Sequence, residues 1–131
     1  GEVVVIDEWR HAVGRVNRGL PAGSVEGDER LLAAAGRELR EETGYEAGEF
    51  ERMASVEPAN GFADAIFHYY VARECVPVGE QALDRDESIT VETTTFEQLL
   101  GAVREDELRD GRSAFAVLRY LLFDGRYRTA D

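Results

Sequence analysis

The sequence has no lysine, and all 15 of its basic residues are arginine. It has one cysteine, Cys75, which excludes an internal disulfide and fits a reducing compartment. It also lacks an apolar run of the roughly 18 residues that a membrane-spanning helix needs. These absences predict a cytoplasmic protein that does not cross membranes and does not depend on disulfides.

Charge of one sign is in excess, because 27 acidic residues against 15 basic residues give a net charge of −12. Such a surface repels the phosphate backbone of nucleic acids, so we expect no nucleic-acid partner. Two interpretations of the composition stay open. The arginine bias fits a genome rich in G and C, and the dense carboxylates fit a salt-loving source, where they keep a protein hydrated.

Length and periodicity predict a single domain over residues 1–131, large enough for its own hydrophobic core. Strands are predicted over residues 2–9, 12–20, 49–57, 65–74 and 89–94, and helices over 29–43, 95–104 and 113–123. A sheet with helices against it is an α+β or α/β/α arrangement. The first strand follows Gly1 almost at once and the one methionine is Met53, so we expect further sequence upstream.

Local signals mark the ends of the predicted helices. Asp28 is the expected N-cap of the first helix, and Gly44 follows its last residue. Thr95 and Gln98 have the spacing of a capping box. Apolar residues at helical spacing are expected to pack on the sheet: Leu31, Leu32, Ala35 and Leu39 in the first helix, and Phe115, Leu118, Leu121 and Leu122 in the last.

The first helix ends in the stretch R-E-L-R-E-E-T-G-Y, residues 37–45, which brings three glutamates together. Glu38, Glu41 and Glu42 are expected to lie largely off the apolar side, with Glu38 and Glu42 one turn apart. Like charges at this spacing repel by a few tenths of a kcal/mol. Arginines, water or a divalent cation could offset the repulsion. Taken alone, three glutamates on a helix are more typical of a solvated face than of a metal site.

A longer pattern surrounds these glutamates. Five residues separate Gly23 from Glu29, and seven more separate Glu29 from Arg37. This resembles the defining box of the Nudix hydrolases, G-x5-E-x7-R-E-U-x-E-E-x-G-U, where U is aliphatic. Residues 23–45 match every fixed position, and the one departure is Tyr45 at the last apolar position. The resemblance implies an α+β Nudix fold, an α/β/α sandwich with a mixed central sheet.

The resemblance also implies a metal site. Glu38 and Glu42 are its expected principal ligands, Glu41 assists, and the backbone carbonyl of Ala22 completes it. All four supply oxygen, which Mg²⁺ prefers, and Mn²⁺ is the expected substitute. The implied reaction is attack of a metal-activated water on phosphorus, which splits a small-molecule nucleoside diphosphate linked to a group X. Glu41 and Glu42 therefore belong to the expected catalytic set.

Three residues of the box are expected to support the site. By the resemblance, Glu29 and Arg37 form an ion pair that braces the loop against the helix. Gly23 opens the box. Direct contact of Arg37 with phosphate is the less favoured alternative.

The likeness extends to the ADP-ribose pyrophosphatase branch through V-V-V-I-D-E-W-R, residues 3–10, and L-P-A-G-S-V-E, residues 20–26. It implies substrate or nearby contacts for Arg10 and Glu26, and a homodimer. A glutamate in the later acidic loop often supplies a ligand or the catalytic base, which indicates Glu87. Its neighbours Asp84 and Asp86 are alternatives, and a solvated acidic loop without function is an equal one.

The stretch P-A-N-G-F-A-D-A, residues 58–65, departs from that branch, which carries P-x-P-G-F-x-D-E. Asn60 replaces a proline that helps mark ADP-ribose specificity, and Ala65 replaces a glutamate. Asn-Gly still favours a tight turn. Phe62 is a candidate to stack on a base or ribose, although a core aromatic is the simpler interpretation. The expected substrate is ADP-ribose or a related nucleotide sugar. Nucleoside triphosphates and dinucleoside polyphosphates stay open as alternatives, as does a module that binds nucleotides without catalysis.

Overall fold

The computed structural model describes residues 1–124. Its strands are β1 (Glu2–Arg10), β2 (Arg15–Gly19), β3 (Tyr45–Glu46), β4 (Glu49–Val56), β5 (Phe67–Arg73), β6 (Val76–Pro77) and β7 (Ile89–Thr95). Its helices are α1 (Leu31–Thr43), α2 (Phe96–Arg104) and α3 (Gly111–Arg119), which a π-helical turn at Tyr120–Asp124 extends. The predicted α+β class is confirmed. Within residues 1–124, no helix is both long and apolar enough to span a membrane.

β1 is the central strand of a three-stranded sheet, in the order β2-β1-β7. It pairs antiparallel with β2 on one edge and with β7 on the other, which sets Ile6 opposite Gly19 and Glu8 opposite Ile89. β4 and β5 form a separate antiparallel hairpin, and the two-residue strands β3 and β6 form another pair. The strands of the described part of the chain are thus divided among three antiparallel sheets.

Both faces of β1 are covered. Val5 is fully buried and packs with Leu99 of α2 and Val117 of α3. Because successive strand residues point to opposite faces, Ile6 faces the other way, and it too is buried. Burying a side chain of this size stabilises the fold by about 1.5–3 kcal/mol. β1 is therefore a rigid base for the residues at its C-terminal end.

Two predicted helix boundaries are confirmed because they depend on groups close in sequence. Gly44 ends α1 in the left-handed conformation, with φ at 76°, and its N–H donates to the Arg40 carbonyl. Thr95 and Gln98 form the complete capping box of α2. Strands β3 and β6 were not predicted, because a strand of two residues is too short to show a periodic pattern of apolar residues.

The predicted start of α1 is wrong. The N-cap is Arg30 rather than Asp28, and no side chain caps the helix. Glu29 stays in the preceding loop because its carboxylate accepts from the Glu26 N–H at 3.1 Å and from the Arg37 Nε at 2.8 Å. These bonds delay the helix until Leu31.

The buried face of α1 also differs from the predicted stripe. Leu39 is buried as expected, but Leu31 and Leu32 are exposed. The buried residues of α1 are Ala34, Leu39, Glu42 and Thr43. The expectation that Glu42 lies on the solvent side is therefore wrong, because its carboxylate turns inward to accept from the Ala22 N–H at 2.9 Å.

α3 begins two residues before its predicted start and buries a different face. Asp110 is its N-cap, and the Ser113 hydroxyl donates to Asp110 Oδ2 at 2.7 Å while accepting from the Leu20 N–H at 2.9 Å. These contacts turn Ser113 inward. The buried residues of α3 are Ser113, Ala116 and Val117. Three of the residues predicted for the core, Phe115, Leu118 and Leu122, are exposed instead.

Candidate active site

The last two turns of α1 face the loop that precedes the helix. Ala22 lies against Glu42, which is 3% exposed. Gly23 lies against Glu38, and a Cβ at Gly23 would overlap the Glu38 carboxylate. The Glu38 side chain would have to move if residue 23 carried a Cβ, so this glycine lets the loop approach the helix closely, with Gly23 beside Glu38 and Ala22 beside Glu42.

Arg37 binds several carboxylates next to the contact between the loop and α1. Its guanidinium pairs with Glu29 through Nε at 2.8 Å and Nη2 at 3.1 Å. Its Nη1 lies 2.9 Å from Glu38 Oε1 and 3.0 Å from Glu41 Oε2. Its Nη2 also donates to the Ser24 carbonyl at 2.8 Å. The hydrogen bond from Arg37 lowers the pKa of Glu29. The predicted Glu29–Arg37 ion pair is present, and the same arginine also binds Glu38 and Glu41.

Among the carboxylates of residues 1–124, Glu42 has the largest shift in pKa. Burial raises its pKa to about 8. The Ala22 N–H opposes that shift, whereas the charges of Glu38, Glu87 and Glu8 add to it. Within residues 1–124, the Glu42 carboxylate accepts a hydrogen bond from the Ala22 N–H and none from an arginine. A nearby cation would therefore favour its charged form.

The donor set suits a hard divalent cation, since it consists of carboxylates and one loop carbonyl. Within residues 1–124, no three carboxylate, histidine or cysteine side chains are already arranged around a common metal position. The reason is visible in the contacts, because Arg37 holds Glu38 and Glu41 while Glu42 accepts from Ala22. The residues fit a metal by chemistry and burial, and Arg37 is the group with which a metal would compete.

Glu87 lies in the loop before β7, and its charge acts on two of the same carboxylates. It is half-buried, while Asp84 and Asp86 are exposed. Its carboxylate accepts from the Asp84 N–H at 2.9 Å, and its own N–H donates to the Asp84 carbonyl at 3.0 Å. Burial raises the pKa of Glu38, and the charge of Glu87 adds to that shift as it does to the shift of Glu42. Of the three acidic residues considered in this loop, Glu87 is the one whose charge acts on Glu38 and Glu42.

The end of β1 contributes Arg10, together with a carboxylate that the sequence analysis missed. Arg10 Nη2 lies 3.0 Å from Glu8 Oε1, and the Glu8 side chain is 14% exposed. The charge of Glu8 raises the pKa of Glu42. Strand alternation places Glu8 and Arg10 on the same face of β1, which is the signal that could have identified Glu8.

The other two predicted substrate residues lie further out. Glu26 Oε1 lies 3.7 Å from Arg37 Nη1, and the Glu26 side chain is 71% exposed. Phe62 is 90% exposed, so its interpretation as a core aromatic is wrong. The Asn60–Gly61 turn does form, since the Phe62 N–H donates to the Ala59 carbonyl at 3.0 Å. Neither Glu26 nor Phe62 is brought into contact with Glu42 by the described hydrogen bonds.

An α+β fold in which a glycine loop meets a carboxylate-rich helix is the arrangement expected for the Nudix box. The family model for the NUDIX domain matches residues 1–116. The chain therefore belongs to the NUDIX family.

Within the family, the chain is similar to ADP-ribose pyrophosphatases. It is 34% identical over 118 residues to the ADP-ribose pyrophosphatase of Bacillus subtilis strain 168, covering 89% of this chain and 64% of that protein. It is 33% identical over 117 residues to the methanol dehydrogenase activator of Bacillus methanolicus, covering 88% of this chain and 63% of that protein. The chain thus spans slightly less than two thirds of both relatives.

Two further matches are informative. A GDP-mannose pyrophosphatase of Klebsiella pneumoniae is 32% identical over 106 residues, covering 79% of this chain and 52% of that protein. A crystal structure described as an ADP compounds hydrolase superposes with a TM-score of 0.79, covering 92% of this chain and 66% of that chain at 20% identity. That structural likeness establishes the Nudix fold.

Proposed function

We propose that this chain is the catalytic domain of a divalent-metal-dependent pyrophosphohydrolase that cleaves a nucleoside diphosphate linked to a group X. The main candidate substrate is ADP-ribose. The observation that supports this most is the convergence of carboxylates on the buried Glu42, whose pKa is raised to about 8 by burial and by its acidic neighbours. Burial and the neighbouring charges disfavour the charged form of Glu42, and a bound cation would favour it, which makes this position suited to a divalent metal.

In this proposal Glu38, Glu41 and Glu42 hold Mg²⁺ or Mn²⁺ together with the Ala22 carbonyl. A bound cation neutralises the diphosphate, stabilises the leaving oxygen and lowers the pKa of the attacking water. Glu29, Arg37 and Gly23 keep the loop and helix in register, as their contacts suggest.

Glu87 is the proposed general base. Its Oε1 accepts from the Asp84 N–H, which orients the carboxylate and leaves Oε2 to receive the proton of the attacking water. The water oxygen bonds to one phosphorus and the bridging P–O bond breaks, which gives a nucleoside monophosphate and phospho-X. Arg10, whose partner is Glu8, lies at the end of β1 and is the proposed contact for the diphosphate.

The substrate has two candidates, which differ in both the nucleoside and the group X. Relatives named ADP-ribose pyrophosphatase and GDP-mannose pyrophosphatase match this chain at 34% and 32% identity. Asn60 and Ala65, which depart from the ADP-ribose branch, favour keeping a nucleotide sugar such as GDP-mannose as the second candidate. The single domain over residues 1–131, the homodimer and the cytoplasmic location stay predictions.

Product analysis with Mg²⁺ tests this proposal. The panel is ADP-ribose, ADP-glucose, GDP-mannose, NADH, diadenosine polyphosphates and nucleoside triphosphates, each at low and at multimolar salt. We expect AMP and ribose 5-phosphate from ADP-ribose, and loss of product in EDTA. Preference for GDP-mannose would keep the reaction and change both the nucleoside and X. Absence of product across the panel, from protein shown to be folded, would contradict the proposal and favour a module that binds nucleotides without catalysis.

A further inference from the structure

The segment before β7 is attached to the C-terminal end of α1 by several hydrogen bonds. They run from Arg40 Nη1 to the Glu80 carbonyl at 2.7 Å, from the Ala82 N–H to the Glu41 carbonyl at 2.7 Å, from the Val78 N–H to the Gly44 carbonyl at 2.8 Å, and from Gln81 Nε2 to the Glu42 carbonyl at 2.7 Å. The last carbonyls of a helix lack partners within the helix. Ala82 and Gln81 supply partners for two of them, the Glu41 and Glu42 carbonyls, so this segment is fixed to the helix that carries the candidate metal ligands.

Gln81 differs from the other groups in this attachment because its side chain makes two bonds. Its amide nitrogen also donates to the Ile89 carbonyl at 3.0 Å. Gln81 therefore joins the end of α1 to the start of β7. Both N–H donors of the amide are used, and both acceptors are backbone carbonyls.

These two bonds close the base of the loop that contains Glu87. The loop leaves Gln81 and returns at Ile89, and between them the Asp84 N–H holds the Glu87 carboxylate at 2.9 Å. One bond of Gln81 fixes the backbone of Glu42, whose carboxylate is buried. The other fixes the strand that follows Glu87. A single amide thus connects the two carboxylates to which the proposed function gives different roles.

We propose that Gln81 is a positioning residue, which holds the Glu87 loop at the working distance from the Glu38–Glu42 carboxylates by bridging the Glu42 and Ile89 carbonyls. This inference rests on the proposed function. It predicts that Gln81 acts through Glu87 rather than through substrate, since its donors are occupied by backbone carbonyls. Loss of the bridge should lower kcat more than it raises KM.

The test uses Gln81→Met, which keeps the size of the side chain and removes both donors. We expect kcat to fall about 10- to 100-fold, because small displacements of catalytic groups have effects of this order. KM should change by no more than about twofold, since uniform substrate binding is untouched. Gln81→Lys, which restores a donor that can reach two carbonyls, should recover part of the loss.

Gln98→Met is the matched control, because the same chemical change removes hydrogen bonds from the α2 capping box. It should lower the melting temperature without lowering kcat. If it reduced kcat as much as Gln81→Met does, general destabilisation would explain the effect and the inference would be wrong.

A double-mutant cycle with Glu87→Gln gives the sharpest result. If Gln81 acts by placing Glu87, Gln81→Met should change kcat little once Glu87 is Gln. The inference would be contradicted if Gln81→Met and Glu87→Gln lowered kcat by independent factors that multiply in the double mutant. It would also be contradicted if the Glu87→Gln protein had wild-type kcat. Amide hydrogen exchange without substrate should show faster exchange in residues 83–88 of Gln81→Met and no change in α2. A wild-type protein that hydrolyses nothing would instead refute the proposed function, so the two failures are distinguishable.

Discussion

Glu42 is the residue on which the proposed chemistry depends most, since it is a carboxylate buried beside other carboxylates. We expect Glu42→Gln to lower kcat with Mg²⁺ by at least about 100-fold, because the amide cannot supply a charged ligand. The melting temperature of the metal-free protein should not fall, since Gln is neutral and nearly isosteric with the buried carboxyl group. Steady-state kinetics and thermal melting in EDTA measure the two effects.

Glu41→Gln is the comparison for that experiment, because the Glu41 side chain is 36% exposed and binds Arg37. A smaller loss of kcat is expected there. Wild-type turnover in the Glu42→Gln protein would rule out Glu42 as a metal ligand.

Two glycines of the same region should respond to alanine in opposite ways. A Cβ at Gly36 would lie 3.8 Å from the Phe50 ring, which is an ordinary contact, so the structure has room for alanine there. Gly36→Ala should therefore stabilise the protein by about 0.5–1 kcal/mol and leave kcat unchanged. Gly23→Ala should lower kcat/KM at least about 10-fold, since its Cβ would displace the Glu38 carboxylate. Urea unfolding and kinetics on both variants check this pair, and similar activities would contradict it.

At the scale of elements, sequence reasoning succeeded where a boundary depends on groups a few residues apart, as at Gly44 and at the Thr95–Gln98 box. It failed where distant contacts decide. The buried face of α3 follows from the bond between Leu20 and Ser113, which are 93 residues apart. The start of α1 was also missed, although the Glu29–Arg37 pair that delays it was itself predicted.

The same distinction holds for the candidate site. The box residues lie in one loop and one helix, so fixed spacing located them. Glu8 comes from β1 and was missed. Nor could spacing show that Glu42 faces inward or that Gln81 reaches two carbonyls, because both depend on how the loops fold back onto α1.

Asp110 determines where α3 begins. Burial alone would raise its pKa, but hydrogen bonds from Ser113 and Arg112 outweigh burial and lower it. Because the folded pKa lies below the unfolded value, this stabilisation is present above the unfolded pKa of about 4 and is lost as pH falls. We expect Asp110→Ala to lower the free energy of unfolding by about 1–2 kcal/mol at pH 7 and by less at pH 3. Urea unfolding at both pH values measures this.

Asp28→Ala is the control for Asp110, since Asp28 is an exposed acid that does not cap α1. It should change the free energy of unfolding by less than about 0.5 kcal/mol. Equal losses from Asp110→Ala at pH 7 and pH 3 would show that its charge contributes nothing to the cap.

At the scale of the whole molecule, the protein carries two kinds of negative charge, and salt and divalent cations act on them differently. The net charge of −12 is spread over the surface, and ordinary salt screens it. The carboxylates around Glu42 are partly or fully removed from solvent, and salt screens such groups much less. A divalent cation bound among them would act where sodium cannot, which separates the acidic surface from the proposed site.

That difference predicts how stability depends on pH and metal. The pKa of Glu42 is raised to about 8 in the folded, metal-free protein, from 4.5. The folded state therefore binds a proton that the unfolded state has released, so this group's contribution is complete below about pH 4.5 and is lost as pH rises toward 8. In EDTA the melting temperature should fall over that interval, and MgCl₂ should restore more of it at pH 8 than at pH 5. NaCl at matched ionic strength is the control, and Glu42→Gln should flatten the slope. If the wild-type and Glu42→Gln proteins had equal slopes with and without Mg²⁺, Glu42 would not be the group that links the proton to the metal.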